Sequence, residues 1–250
     1  MTMPAEVRVI PLAGLPELEE GDDLAALLAE ACGRAGGLEE GDIVVVAQKA
    51  VSKVEGRIVR LADIEPSARA IELAGDEGDP RQLEVILRET VEVVRSRPPL
   101  VISETSHGFV CASAGVDASN AKGDGTVILL PVDPDASAAG LRERLSELTG
   151  IAPGLIVSDS FGRAWRQGTT DVALGVAGIV ALRDLRGTID SRGYELRSTM
   201  IAVADEIAGA AELVMGKANG VPAAIVRGVD ARGEGRATDI VMPRERDLFR

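Results

Sequence analysis

Aromatic side chains are scarce in this 250-residue chain, which holds one Trp, one Tyr and three Phe. So few rings exclude an aromatic cage and a base-stacking surface, and they make the core aliphatic. Histidine occurs once, as His107, and the two cysteines, Cys32 and Cys111, stand in no CxxC or Cys/His spacing. The chain therefore lacks both a zinc ligand set and the pairs of a disulfide scaffold, and a reducing cytoplasm is expected. No apolar run reaches bilayer length. The longest, Leu174 to Leu182, is too short to span, and the opening MTMPAEVRVIPL has neither a basic nor a long apolar leader region. Positive charge is in deficit as well. With 27 basic against 40 acidic side chains the net charge is -13, which disfavours nucleic acid and anionic membrane as partners. Neither GxxxxGK[ST] nor a strand-linked GxGxxG occurs, so any nucleotide is held without a P-loop or Rossmann fingerprint.

What is present is a succession of short β-branched runs at residues 7–10, 42–47, 100–103, 126–130, 154–159 and 222–226. They are continuous rather than alternating, which predicts strands buried on both faces. Amphipathic spacing predicts helices over Asp23 to Arg34, over Gln82 to Val94, around Leu141, Leu145 and Leu148, and from about Thr199 to Met215. Asp79-Pro80 and Asp133-Pro134 each offer a capping acid and a proline suited to a first turn. The fold class is therefore α/β, with mixed sheets and flanking helices. Gly162, Gly168, Gly187 and Gly193 interrupt strict βαβ alternation between Ser160 and Ser198. No internal repeat or linker divides the chain, and 1–250 is expected to be a single catalytic unit.

Four loops beside apolar runs carry groups able to meet a metal or a phosphate. GLPEL, Gly14 to Leu18, follows the first run and reads equally as a proline turn. AQKAVSKVEGR places Lys49 and Lys53 four apart after a buried strand, as a phosphate site or a solvated basic turn. HGFVCASAGVDASN, His107 to Asn120, ends in Asp117 and Asn120, and the small residues before them suggest close approach of backbone to a ligand. SDSFGRAWRQGTTD sets Asp159 and Ser160 at a strand end, followed by Arg163, Trp165 and Arg166. Its alternative is a solvated turn with Trp165 packed beneath. Asp117, Asp159 and Ser160 form a hard oxygen set suited to Mg2+ or Mn2+. His107, without a second histidine or cysteine ligand, reads as a supporting residue.

Taken in order, GLPEL, VSKVEGR, HGFVCASAGVDASN, SDSFGRAWRQGTTDVALGVAG and MGKANGVPAAIVRG resemble the coenzyme F420-0:L-glutamate ligase family, also called F420:gamma-glutamyl ligase. The blocks run from near residue 10 to near residue 228. The resemblance implies an enzyme that adds L-glutamate to F420-0 by an amide bond and then adds gamma-linked glutamates. It also implies GTP as cosubstrate, Mg2+ or Mn2+ with K+ as an optional further ion, and an unusual α/β fold forming an intertwined homodimer. Carried over by motif, Asp117 and Asp159 are the catalytic carboxylates, and with Ser160 they hold metal. Nucleotide contacts fall on Leu15, Pro16, Glu17 and Leu18, on Gln48, Lys49 and Lys53, on Asn120, and on Met215, Gly216, Lys217, Ala218, Asn219, Gly220, Val221 and Pro222. Lys217 stands where many relatives carry a metal-contacting Gln, a departure from the family pattern. Arg163 and Arg166 are expected to hold either the acidic coenzyme tail or the incoming glutamate. A second, flavin-binding domain, found in some relatives, is not expected after MPRERDLFR. Two other readings stay open on the residues alone. One is a metal-dependent phosphatase or nucleotidase, and the other is an oligomer that binds nucleotide without catalysis.

Overall fold

The structure, a computed structural model, describes residues 6–118 and 125–249. Its first part runs β1 (Arg8–Pro11), α1 (Leu24–Arg34), β2 (Ile43–Ala47), α2 (Gln48–Val54) and β3 (Ile58–Arg60). A middle part follows with α3 (Ala68–Ala74), α4 (Pro80–Arg88), β4 (Thr90–Arg97), β5 (Leu100–Thr105), β6 (Val110–Ala112) and β7 (Thr126–Ile128). The last part holds α5 (Pro134–Thr149), β8 (Gly154–Gly162), β9 (Thr169–Ala177), β10 (Arg183–Asp184), β11 (Met200–Ile201), α6 (Val203–Met215) and β12 (Ala223–Arg227).

Five strands form the main sheet in the order β1-β12-β2-β8-β9, with β2 and β8 parallel and every other pair antiparallel. The continuous apolar runs follow from its burial on both faces. Ile43, Val45, Ile156, Ala224 and Val226 pack against α6, while Val44, Val46, Leu155, Val157 and Ile225 pack against α1 and α5. Alternation of side chains across the pleat sends each successive residue to the opposite core. The middle part has its own core, in which Leu73, Leu83, Ile86, Val101, Val127 and Leu129 meet between α3, α4 and two small sheets, β3-β7 and β4-β5-β6.

Capping explains where the helices start. Asp79 and Asp133 accept hydrogen bonds from the backbone N–H of Arg81 and Ala136 at the heads of α4 and α5, each followed by the expected proline. Two further carboxylates pin β9. Val157 opposes Gly175 while Ser158 opposes Ala173, so Leu174 is an extra residue. The N–H of Ala173 is taken by Asp205 of α6 at 2.9 Å, and that of Val176 by Asp135 of α5 at 2.8 Å.

Three expectations change. The helix predicted over Gln82 to Val94 ends at Arg88, and Val94 lies in strand β4. Thr90, Val91, Val93 and Val94 are β-branched, and here they favour the strand over the helix. The lysine-bearing stretch after β2 is helix α2 rather than a turn, and the helix expected from Thr199 starts at Val203 after the short strand β11. The small residues before Asp117 serve the fold. Ser113, Ala114 and Gly115 all have positive φ, and a Cβ on Gly115 would stand 2.7 Å from Leu130. Their smallness lets the chain turn tightly, with Gly115 close over the buried Leu130.

Candidate active site

Four chain ends meet at one edge of the main sheet. Parallel pairing sets Ala47 at the end of β2 beside Ser158 of β8. Antiparallel pairing brings Ala223, which begins β12, against Val46, and Pro11, which ends β1, against Ala224. The loops leaving these ends crowd together beyond the carboxyl ends of the parallel strands, the usual place for a ligand in α/β sheets. They enclose a cavity of about 610 Å3. Its walls are tied by backbone bonds from Ala47 N–H to the Pro222 carbonyl at 2.8 Å and from Gly21 N–H to the Val54 carbonyl at 2.9 Å. Arg34 steadies the GLPEL loop by donating to the carbonyls of Ala13 and Gly14.

Most of the expected site residues line this cavity: Leu15 to Leu18, Gln48, Lys49 and Lys53, Asp159 and Ser160, and Met215 to Pro222 apart from Asn219. Asn219 is exposed and does not line the cavity, and its side-chain nitrogen stands where a Cβ on Gly216 would fall. Asp117 reaches the site from outside the sheet. It is fixed by a two-way backbone bridge with Ile128, and its carboxylate meets the Lys49 ammonium at 2.7 Å. Asn120 lies outside the described residues. Arg163 and Arg166 are elsewhere, on a second cavity of about 980 Å3.

Helix α2 presents both lysines to the cavity because residues four apart share a helix face. Lys53 donates to Glu17 at 2.6 Å, so the helix also holds the GLPEL loop. One turn away, the Ser52 hydroxyl donates to Gln48 Oε1 at 2.8 Å. The Gln48 side-chain nitrogen is buried and has no hydrogen-bond partner among the described residues. A buried amide left unpaired costs about 1–3 kcal/mol, which makes Gln48 a ready donor to whatever enters.

Asp171, Ser158 and Glu212 line the cavity and were missed by sequence reasoning. Ser160 stands directly across the β8–β9 hairpin from Asp171. Asp171 is buried and accepts hydrogen bonds from Ser160 at 2.7 Å and Ser158 at 3.0 Å. The glycines flanking Arg163–Gln167 signal that hairpin, and reading it would have paired Ser160 with Asp171. Strand alternation sends Asp159 to the other face, with Phe161. Loss of solvent raises the Asp159 carboxyl to about 6, with further upward pressure from Asp117 and Asp171, against the Ser160 N–H and Lys49, which lower it. Among the described residues no three His, Cys, Asp or Glu side chains cluster as a metal cage.

His107 is held away from this chemistry. Its Nε2 lies 3.0 and 3.1 Å from the carbonyls of Pro131 and Val132, which only accept, so this nitrogen carries the proton. The ring stacks on Phe109 with centroids 5.5 Å apart, a clamp between two loops. Trp165 does not pack beneath its turn. It is 89% exposed, has φ of +61° and leans on Phe249.

Comparison with known proteins points one way. Residues 14–228 match the family described as F420-0:Gamma-glutamyl ligase. A protein of Methanothermobacter thermautotrophicus named Coenzyme F420:L-glutamate ligase is 44% identical over 98% of this chain and 99% of its own length. Proteins of the same name from Methanopyrus kandleri and Archaeoglobus fulgidus are 46% and 43% identical, each over 98% of this chain and over 98% and 96% of their own lengths.

Proposed function

The chain belongs to the F420-0:gamma-glutamyl ligase family, and from that premise we propose that it joins L-glutamate to coenzyme F420-0 through an amide bond, using GTP. The observation that carries this reading is the gathering of Lys49, Lys53 and Asp159 around a cavity of about 610 Å3, with Asp117 paired to Lys49. We read 1–250 as one catalytic unit acting in the cytoplasm as an intertwined homodimer, with small molecules rather than nucleic acid or membrane as partners. Further glutamates follow by gamma linkage.

Amide formation from a carboxylate needs an activated acyl group. In the proposed route a carboxylate oxygen of F420-0 attacks the γ-phosphorus of GTP, and the bond to the β-γ bridging oxygen breaks, releasing GDP. The amine nitrogen of glutamate, having lost a proton, then attacks the acyl carbon and expels phosphate. Positioning and charge neutralisation dominate such transfers. Lys49 and Lys53 sit where they can exchange their carboxylate partners for phosphate oxygens. The Gln48 nitrogen supplies a neutral donor. The loop 215–222 gives backbone approach at Gly220, which has positive φ and nothing within 4 Å of where a Cβ would stand.

The residues also fit Mg2+ or Mn2+. Asp117 raises the proton affinity of Asp159, a repulsion that a cation held by the two carboxylates would relieve, and the Lys49 ammonium already pairs with Asp117. Ser160, the third expected ligand, turns its hydroxyl to Asp171 on the opposite face of β8 from Asp159, so the two aspartates are the side chains that would hold the ion, its shell completed from phosphate and water. Such a cation, with K+ as an optional second ion, would supply neutralisation of charge on the phosphates. Asp171 keeps the Ser160 hydroxyl oriented.

The test is incubation of the protein with GTP, Mg2+ or Mn2+, L-glutamate and F420-0, with product mass read by mass spectrometry. Product heavier by one or more glutamyl residues is expected, with GTP consumed only when both cosubstrates are present. GTP hydrolysis indifferent to glutamate and F420-0 overturns the ligase in favour of a phosphatase.

A further inference from the structure

We propose that the second cavity seats the coenzyme substrate, an anion with an apolar body much larger than an amino acid, and that Arg163 and Arg166 hold its negative charge. The assignment rests on the ligase reading and chooses between the two roles open to these arginines.

Size is the first argument. The cavity, about 980 Å3, is near the upper end of the roughly 300–1,000 Å3 typical of small-molecule sites, far more than glutamate fills. Lining is the second. Phe109, Cys111, Phe161, Val172 and Leu174 form an apolar floor, closed at the rim by Phe249. Glutamate, charged at every end, gains nothing from such a floor, whereas a coenzyme body does. Charge is the third. Arg57, Arg186, Arg227 and Arg244 each engage a carboxylate. Among the described residues the side chains of Arg163 and Arg166 pair with no carboxylate, nor do those of Arg95 and Arg246, so four guanidinium groups against Asp205 and Asp247 leave this lining net positive in an acidic protein. Unpaired guanidinium groups at an apolar opening suit a bidentate anion.

Position is the fourth argument. Asp159 is on the face of β8 that Phe161 shares, and it pairs in register with Val172, another residue of the second cavity. Phe161 meets Phe109 edge to face at 6.4 Å. The floor of the second cavity therefore ends at the carboxylate that also lines the first. A substrate lying on this floor carries its reacting carboxylate to the boundary between the cavities, while nucleotide occupies the polar side.

Equilibrium dialysis with F420-0 alone, beside steady-state kinetics for all three substrates, tests the assignment on the full chain. Arg163→Gln with Arg166→Gln is expected to weaken F420-0 binding and raise its KM about tenfold or more, as expected for lost charge-assisted hydrogen bonds. The KM values for GTP and glutamate should stay within about twofold. Ala112→Phe, which fills the cavity from β6, should weaken F420-0 in the same way. Both arginines are exposed, so their replacement leaves folding intact, and thermal unfolding verifies this. Unchanged F420-0 affinity in the arginine variant overturns the proposal. So does a rise confined to the KM for glutamate, which would make the arginines an amino-acid site. A wild-type protein that binds F420-0 through these residues yet forms no glutamyl product keeps the cavity and removes the ligase reading.

Discussion

On one face of β8, Ser158 and Ser160 turn to Asp171, and beyond them each lysine of α2 already holds a carboxylate. On the other face Phe161 enters a largely apolar hollow lined by four arginines, Arg163 and Arg166 among them, that hold no carboxylate among the described residues. The polar cavity is an internally neutralised network, so a phosphate entering it exchanges partners, and the charges are in place before it arrives. Preorganised charge of this kind does not have to be gathered during the reaction. The apolar cavity works by burial, with orientation left to a few charges. One strand serves both because its period of two assigns consecutive residues to opposite sides.

The sharpest way to break this contrast is Lys49→Met. It leaves Asp117 and Asp159 facing each other without a cation, and kcat should fall on the order of 100- to 1,000-fold, as when a charge-stabilising donor is removed. Equilibrium dialysis should find F420-0 binding in the absence of nucleotide little changed. A parallel loss of F420-0 affinity would show that the two cavities are not separable. Next in size is Asp171. Asp171→Asn keeps partners for both serines and should lower kcat about 10- to 100-fold, the usual cost of losing an orienting carboxylate. Asp171→Leu strands two hydroxyls, and chemical denaturation should show a further loss of about 1–3 kcal/mol for each.

The smallest effect concerns the apolar side. Burial pushes Cys111 up to about 12 and Cys32 up to about 11, so neither thiol is a nucleophile near neutrality. A thiol reagent at pH 8 should label the native protein slowly and the unfolded protein at both sites. Because the folded values lie above the ordinary thiol value of 9.0, their contribution is fully present below that pH. It drains away as pH rises toward 11 or 12, where the unfolded chain releases its protons first. Denaturation midpoints measured from pH 8 upward should fall, and Cys32→Ala with Cys111→Ala should flatten that decline.

Much of the main sheet was legible because burial on both faces makes its strands continuous apolar runs, and Asp79-Pro80 and Asp133-Pro134 announced their helices plainly. Motif blocks led to most of the first cavity's lining. Asp171 was hidden because its meaning comes from a partner across a hairpin. The separation of Arg163 and Arg166 from the lysines was hidden because nothing local marks which face of β8 a following loop will serve. The contact of Gly115 with Leu130 was hidden in the same way, since nothing local shows which side chain lies over a small residue.

The pairing of β1 with β12 makes the polar cavity a long-range structure. Pro11 and its partner Ala224 lie far apart along the chain. The loops Leu15 to Leu18 and Met215 to Pro222, which both line the polar cavity, depend on that closure for their alignment. Contacts so distant along the chain form slowly, after more local ones. During folding the middle core can therefore form while β1 still lacks its neighbour, and nucleotide meets a completed pocket only once the two strands have paired.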